Sequence, residues 1–186
     1  MFHFPDVQWT KLQAEALALP HRVLETGEDE LSSLKEGLAA IKQDLRIIGV
    51  ASGAVASDYQ KSRIDRICDD LGLKSFAPLW HKDPRRLVDD LKLLGFKIMI
   101  IGVGAGGLDE SWLGKELTDD RWTMLETLSL KHGIHLTGEG GEYETFVVDA
   151  PMFKKRVQIL RAHNQWDGES GHYLIENAQL REKLAN

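Results

Sequence analysis

The order in which strand and helix patterns alternate constrains the fold of this chain most. Two apolar runs, "RIIGVA" from Arg46 and "FKIMIIGVG" from Phe96, have no polar alternation, which is typical of strands buried on both faces. Before the first run, apolar residues recur at steps of three and four from Leu31 to Leu45, as in an amphipathic helix. Because parallel strands need a helical crossover, this alternation predicts a parallel sheet covered by helices, an α/β fold.

The segments between the strands carry recognisable helix start and stop signals. Ser57 and Gln60 have the spacing of a capping box, and Gly72 suits the end of the same helix. Similar signals predict two further helices over 83–95 and 118–133. The segments between the apolar runs are therefore predicted to be helical.

The pattern changes after Pro151. Val157 and Ile159 alternate with polar residues, and Tyr173 and Ile175 do the same after the turn sequence "DGESG". Alternation of this kind predicts a β-hairpin with one face in water. The last part of the chain is therefore expected to be a small α+β region.

Composition narrows the classes of function. The chain has 186 residues with 23 Lys and Arg against 29 Asp and Glu, a net charge of −6, which argues against non-specific DNA binding. No apolar run approaches the roughly 18 residues of a membrane helix. The start "MFHFPDVQWT" lacks the features of a signal peptide. We expect a cytoplasmic protein in which the single cysteine, Cys68, is a buried apolar residue.

Ligands of open parallel sheets bind beyond the carboxyl ends of the strands, and three loops fit that position. In the first, "ASGAVAS", Gly53 and Ala54 permit close approach of a ligand to the backbone before a helix N-terminus. A tight turn leading to a capped helix explains these residues equally well. The side chains expected to project from the first turns of the helix are Ser57, Tyr59, Gln60 and Arg63.

The second loop is "GVGAGGLDESWLG", in which Gly102 begins a G-x-G-x-x-G pattern. A dinucleotide site requires that pattern to open directly into a helix, but the next helix signal is at Thr118. A glycine-rich loop that presents Asp109, Glu110 and an exposed Trp112 to a cleft is favoured instead. A long surface connection is the alternative.

The third loop is "TGEGGEYETFVVDAP". If its second half is a strand, Glu142 and Glu144 share one face and Tyr143 and Thr145 the other, with Glu139 in the glycine turn before them. Clustered carboxylates suit magnesium binding, general-base chemistry or the binding of an ammonium group. A solvated acidic hairpin is the alternative.

The segments "GAVASDYQKSRIDRICDDLGLKSFAPLW", "GLDESWLG" and "GEGGEYETFVVDAP" resemble, in this order, the diphthine–ammonia ligase family of N-type ATP pyrophosphatases. The resemblance covers nearly the whole chain, from about Phe2 to Leu180. It implies a Rossmann-like domain of the adenine nucleotide alpha hydrolase type over 1–136. It also implies a small C-terminal α+β domain on the substrate side over 137–186.

The resemblance also implies a reaction. ATP adenylates the carboxylate of diphthine on elongation factor 2, pyrophosphate leaves, and ammonia displaces AMP to give diphthamide. ATP and magnesium are the expected cofactors, and ammonium is the expected nitrogen source.

Residue roles follow from the same resemblance. Glu139, Glu142 and Glu144 would be catalytic, holding the cationic diphthine side chain or guiding ammonia, with magnesium binding as a competing role. Gly53, Ala54 and Gly102 would contact ATP. The residues expected to bind substrate, on two opposite walls of a cleft, are Ser57, Tyr59, Gln60, Arg63, Asp109, Trp112, Gly114, Tyr143 and Thr145.

One departure from the family concerns its first strand and its "SGGKDS"-like pyrophosphate loop, which the sequence lacks. A βαβ unit of roughly 30 residues would precede Phe2 in the family pattern. If Met1 is the true start, we expect binding without catalysis, since the phosphate-binding N–H groups are absent. The alternatives to the ligase are a related ATP pyrophosphatase with another carboxylate substrate or, because the phosphate loop is absent, an inactive binding protein.

Overall fold

The structure is a computed structural model that describes residues 6–25, 27–104 and 107–183; Met1, whose status as the start is in question, lies outside them. The chain divides into two compact units. The first unit is Arg22–Lys82, and the second unit joins Phe2–His21 to Asp83–Asn186. The predicted domain boundary between residues 136 and 137 stays a prediction.

Helices and strands alternate in the first part of the chain, and strands dominate its end. The helices are α1 (Thr10–Leu17), α2 (Glu30–Leu45), α3 (Asp58–Leu71), α4 (Pro84–Leu93) and α5 (Asp119–His132), with short 3-10 turns at Val7–Trp9 and Glu110–Trp112. The strands are β1 (Gly49–Ala51), β2 (Lys74–Phe76), β3 (Lys97–Val103), β4 (Tyr143–Asp149), β5 (Lys155–Trp166) and β6 (Gly171–Glu182). Within the described residues, no helix is long and apolar enough to cross a membrane.

The first unit is built around a two-stranded parallel sheet formed by β1 and β2, with α3 as the crossover between them. The predicted start of α3 is confirmed, because the Ser57 side chain accepts a hydrogen bond from the Gln60 N–H at 3.3 Å. The predicted end is confirmed by Gly72, which has a φ of +60°. Ile67 and Cys68 form the buried stripe of α3, as expected for this cysteine.

The second unit contains a four-stranded antiparallel sheet in the order β4-β3-β6-β5. The predicted hairpin is confirmed as β5 and β6, and the Asp167 side chain accepts hydrogen bonds from the Glu169 and Ser170 N–H groups in its turn. Helix α5 begins after Thr118, although the Thr118 side chain makes no capping bond, and it ends at Gly133. The chain is thus a mixed α/β protein, as predicted, with one small parallel sheet and a separate antiparallel sheet.

The direction of β3 differs from the sequence expectation. Its apolar run predicts a strand of the parallel sheet, but β3 pairs antiparallel with both β4 and β6. Ile98 and Ile100 lie in one apolar cluster, and Ile101 lies in a second. A strand covered on both faces is apolar throughout whatever the direction of its neighbours, so the run predicts burial and not parallel pairing.

Candidate functional site

The first predicted loop, in the first unit, combines an open glycine with a buried hydroxyl. Gly53 is exposed, and a Cβ built on it would meet no atom within 4 Å. The neighbouring Ser52 Oγ is buried and has no hydrogen-bond partner among the described residues. Ala54 is buried as part of the core. The loop therefore offers a polar side chain and an unobstructed backbone before the N-terminus of α3.

The first turns of α3 carry a stacked pair. The Arg63 guanidinium lies 3.2 Å from the centroid of the Tyr59 ring and also donates a hydrogen bond to the Tyr59 carbonyl. Tyr59 is exposed and Gln60 is half-buried. Such a cation–π contact fixes both side chains against the helix. Of the residues predicted here, Tyr59 and Arg63 thus form one surface feature, while Ser57 caps the helix.

The second predicted loop differs from expectation at Trp112. The side chain is not exposed; it is only 5% accessible and packs in the same apolar cluster as Ile100. The cause is the 3-10 turn Glu110–Trp112, which Asp109 caps by accepting a hydrogen bond from the Ser111 N–H at 2.9 Å. This turn leaves the two acids exposed and directs the indole inward, so the predicted exposure of Trp112 is wrong, and its role in substrate binding stays a prediction.

Gly114 has a structural reason to be glycine. Its φ is +68°, and a Cβ there would lie 2.5 Å from the Tyr173 ring. Its N–H donates to the Ile100 carbonyl at 2.9 Å, which ties the loop to β3. The predicted role of Gly114 in substrate binding is untested by this packing and stays a prediction.

The third predicted loop forms a tight acidic turn before β4. Gly138 has a φ of +72°, and a Cβ there would lie 2.8 Å from the Tyr143 carbonyl oxygen. Strand β4 begins at Tyr143, directly after Glu142, and the Glu142 carbonyl accepts a hydrogen bond from the Gly104 N–H at 2.9 Å, so the predicted shared face of Glu142 and Glu144 stays a prediction. The Glu142 Oε1 accepts a hydrogen bond from the His135 N–H at 2.7 Å. The other carboxylate oxygen, Oε2, is buried without a hydrogen-bond partner among the described residues.

Tyr143 holds this turn on the core. Its hydroxyl donates a hydrogen bond of 2.6 Å to the Leu136 carbonyl, and its ring is buried. Burial, with a smaller contribution from the charge of Glu142, raises the pKa of Tyr143 well above its ordinary value. Tyr143 is therefore a neutral anchor of the acidic turn, while Thr145 is exposed on β4 and Glu139 is half-buried in the turn.

The sheet register brings Gly102 and Glu144 together with a residue that the sequence analysis missed. Gly102 lies opposite Glu144 on β4 and opposite His172 on β6. Asp6, also missed, is buried and accepts a hydrogen bond from the Ile175 N–H at 2.9 Å. No local pattern marks either residue, because His172 reaches Gly102 through strand pairing and Asp6 reaches β6 through its hydrogen bond with Ile175. Gly102 is buried in the sheet and is not at a helix N-terminus, the position expected of a phosphate contact.

Metal binding has no structural support here. Among residues 6–25, 27–104 and 107–183, no group of three or more His, Cys, Asp or Glu side chains is arranged to hold an ion. The predicted magnesium stays a prediction. The two groups of predicted site residues belong to different units, and their placement in one cleft stays a prediction.

Comparison with known families matches both parts of the chain. The family described as "Diphthamide synthase N-terminal domain" matches residues 1–75, and "Diphthamide synthase C-terminal domain" matches residues 83–180. The acidic turn, β3, β4 and all but the last two residues of the hairpin fall in the second match. The matched ranges therefore include every predicted site residue.

Curated relatives agree with these matches. The diphthine–ammonia ligase of Mus musculus is 42% identical over 163 residues, covering 80% of this chain and 61% of that protein. The protein of the same name in Danio rerio is 38% identical over 174 residues, covering 86% of this chain and 68% of that protein. In Schizosaccharomyces pombe the identity is 45% over 136 residues, covering 72% of this chain and 22% of that protein. The chain thus spans about three fifths of the mouse protein that it matches.

Proposed function

Since this chain belongs to the diphthamide synthase family, we propose that it takes part in the ATP-dependent amidation of diphthine by ammonia. In this reaction the diphthine carboxylate attacks the α-phosphorus of ATP and pyrophosphate leaves. Ammonia then adds to the activated carbonyl, AMP leaves, and a proton is released. The support is the family match and relatives that are named diphthine–ammonia ligases.

The observation that carries the proposal is the pair of buried carboxylate oxygens in and next to the acidic turn. Glu142 Oε2 and Glu144 Oε2 have no hydrogen-bond partner among the described residues. A desolvated carboxylate oxygen is costly unless a cation or a hydrogen-bond donor reaches it. The diphthine side chain supplies a cation, and ammonia supplies hydrogen-bond donors. We assign the diphthine side chain to Glu139 and Glu142.

The ATP contacts proposed for this chain lie in the first unit. Ser52 Oγ and the open backbone at Gly53 fit a polar ligand, and the first N–H groups of α3 suit a negatively charged one. ATP supplies the activation of the carboxylate, because it converts a poor leaving group into AMP. In this proposal the loop at Gly53 holds the nucleotide close to its backbone. We assign no protein ligand to magnesium, because the described residues offer no donor cluster.

The proposed partner is a diphthine-bearing elongation factor 2, which places the reaction in the cytoplasm. An acidic chain with a net charge of −6 suits a cationic side chain as substrate. The diphthine residue would enter through its trimethylammonium group, which carries charge but no N–H donor. The half-buried carboxylate of Glu139 can face that group through the attraction between opposite charges.

The test is an amidation assay with the full chain, ATP, ammonium chloride and diphthine-bearing elongation factor 2. Mass spectrometry of the modified histidine and release of AMP are measured together. We expect Glu142→Gln to lower the rate about 10²-fold, the scale of losing one charged contact in a transition state. The matched control is Glu169→Gln, an exposed glutamate in the hairpin turn, which should keep the full rate.

The outcomes separate the alternatives. AMP release without amide would indicate another carboxylate substrate. No AMP with a folded chain would overturn the enzymatic proposal and favour a binding protein. An unchanged rate in Glu142→Gln would remove the proposed role of the acidic turn.

A further inference from the structure

A cavity in the second unit lies away from the acidic turn, at the other end of β3 and β4. Strand β3 pairs Lys97 with Asp149 at the cavity and Val103 with Tyr143 at the acidic turn. At about 3.3 Å per residue, these two ends of the strand are about 20 Å apart. The cavity has a volume of about 990 Å³, which is the size of a small-molecule site. It is therefore a separate candidate site that the proposed function does not use.

The β5–β6 hairpin contributes Arg156 and Gln158 to the lining of this cavity. The two residues are two positions apart on β5, with no register shift between them, and so share a face of the hairpin. The register places Arg181 of β6 directly opposite Arg156. Directly opposed residues of an antiparallel pair lie on the same face, with their Cβ atoms about 5 Å apart. Two arginines are therefore neighbours across the hairpin at the cavity.

The charge of this arginine pair is not matched within the hairpin. The Arg156 Nε is buried and has no hydrogen-bond partner in the described part of the chain. Neither Arg156 nor Arg181 takes part in the ion pairs that the described residues of the hairpin form. Like charges directly opposite each other on a sheet are destabilising, and a buried polar atom without a partner is costly. An anion between the two arginines would relieve both costs.

The carboxylates that line the cavity are already paired with lysines. Glu116 pairs with Lys97 at 3.4 Å, and Asp149 pairs with Lys183 at 2.8 Å. All four of these residues line the cavity, so the charge of Arg156 remains in excess there. The excess is positive although the whole chain carries a net charge of −6. The local charge therefore favours an anionic ligand.

We propose that this cavity binds a phosphorylated small molecule whose phosphoryl group is held by Arg156 and Arg181. A guanidinium pairs with a phosphate or a carboxylate through two parallel hydrogen bonds. A phosphate monoester has three terminal oxygens and accepts from both arginines, whereas the two oxygens of a carboxylate suit one. Met99 and Tyr173, which also line the cavity, supply apolar surface for the organic part of the ligand. This binding does not depend on the proposed amidation.

Gln158 adds a neutral donor beside Arg156. Its Oε1 accepts a hydrogen bond from the Gln179 Nε2 at 3.3 Å, so its own amide N–H groups remain as donors to an anion. Gln158→Glu would place a carboxylate on the same face as Arg156 without removing a cation. The new carboxylate would compete with the ligand for the guanidinium, so this variant should bind phosphate weakly.

Arg156→Gln tests the site directly, and Lys155→Gln is its matched control. Each variant removes one positive charge, and the two residues are adjacent on β5. Lys155 points to the opposite face of the hairpin, where it pairs with Glu182 at 2.8 Å. A general attraction of anions to the hairpin would weaken equally in both variants. A specific site should lose affinity in Arg156→Gln alone.

The measurement is a titration of the full chain with phenyl phosphate at constant ionic strength, followed by the backbone amide NMR signals of Arg156, Gln158 and Arg181. Inorganic phosphate and benzoate are the comparison ligands. We expect saturable shifts with phenyl phosphate. Inorganic phosphate should bind about tenfold more weakly, because it has no ring to bury against the apolar lining. Benzoate, which has the ring but only a carboxylate, should also bind more weakly.

The variants are titrated with phenyl phosphate in the same way. In Arg156→Gln the dissociation constant should rise about tenfold or more, because charge-assisted hydrogen bonds are lost. In Lys155→Gln it should stay within about twofold. Gln158→Glu should weaken binding by about as much as Arg156→Gln.

Four results would overturn the inference: no saturable shift at these amides in the unmodified folded chain, unchanged affinity in Arg156→Gln, an equal loss in Lys155→Gln, or benzoate binding as tightly as phenyl phosphate. Inorganic phosphate binding as tightly as phenyl phosphate would remove the role of the apolar lining. The amidation assay distinguishes this proposal from the proposed function. Phosphate binding at the hairpin without amidation would leave the site standing, and amidation without this binding would do the reverse.

Discussion

The two units of the chain reach stability by different means. The second unit holds both apolar clusters, and Ile100 and Leu125 in it are almost completely inaccessible to solvent. The first unit buries fewer apolar residues, namely Ala54, Val55, Ile67, Cys68 and Leu73, and no residue of α2 is buried. It exposes apolar side chains near its sheet, with Ile48 79% and Phe76 64% accessible.

Local polar interactions take the place of a large core in the first unit. Asp29 caps α2 by accepting the Leu31 and Ser32 N–H groups, and Lys35 of α2 pairs with Asp70 of α3 at 2.6 Å. Exposed pairs of this kind contribute about 0–1 kcal/mol each, whereas a fully buried apolar side chain contributes about 1.5–3 kcal/mol. Helix caps and ion pairs therefore shape the first unit, whereas burial of apolar side chains shapes the second.

The largest expected difference concerns isoleucine in the two cores. We expect Ile100→Ala to cost about 4 kcal/mol and Ile67→Ala about 2 kcal/mol, because a thinly packed site collapses around the cavity more easily. Urea denaturation, combined with hydrogen exchange of β3 and α3 amides, would measure each unit. Equal costs would show that the first unit is packed as tightly as the second.

A smaller effect is expected from one hydroxyl group. Tyr143→Phe removes the donor to the Leu136 carbonyl and leaves that buried oxygen unpaired, at a cost of about 1–3 kcal/mol. The matched change in the first unit is Tyr59→Phe. Because the Tyr59 ring is exposed, this substitution should lower the free energy of unfolding by less than about 0.5 kcal/mol. Thermal unfolding of the two variants gives the comparison. A Tyr59→Phe variant as unstable as Tyr143→Phe would contradict it.

The smallest effect depends on pH and tests the ion pairs of the first unit. Hydrogen bonds from Lys61 and Ser75 lower the pKa of Asp65 from its ordinary 3.8. The ionised form is therefore stabilising above pH 3.8, and this contribution is lost as the pH falls below about 4 through the folded-state pKa. In Asp65→Asn this acid-induced loss in the free energy of unfolding should disappear. The expected size of the loss is less than about 1 kcal/mol.

The check is the urea midpoint of unfolding, measured at about pH 7, 4 and 3, a range over which the Asp65 contribution is lost. The control is Asp89→Asn, on the exposed side of α4 in the second unit, which should leave the acid dependence of the first unit as it is. Identical acid profiles for Asp65→Asn and the unmodified chain would show that this pairing contributes nothing.

Features set by nearby residues were predictable from the sequence. Ser57 and Gly72 bound α3 as predicted, and the "DGESG" turn joins β5 to β6. Asp83 begins α4 by accepting a hydrogen bond from the Arg86 N–H at 3.0 Å. Each of these depends on backbone conformations and hydrogen bonds within a few residues, which the local sequence specifies.

Features set by distant residues were not predictable. The apolar run of β3 does not encode its antiparallel partners, and the acids beside Trp112 suggested exposure where the 3-10 turn directs the indole inward. The acidic turn was found from its composition, but Asp6 and His172 lie far from Gly102 and Glu144 in the sequence. The register of β3 with its two neighbours brings His172 beside Gly102 and Glu144, and the hydrogen bond from the Ile175 N–H holds Asp6 on β6.

The order of the antiparallel sheet has a consequence for association between chains. Strand β5 is the last strand in that order and pairs only with β6 among the described strands, so its outer edge is a template onto which another strand could add. Lys155 pairs with Glu182 across the hairpin, and Arg161 and His163 both pair with Glu176. Charged side chains along an outer strand oppose strand addition, so this hairpin protects the chain against edge-to-edge aggregation.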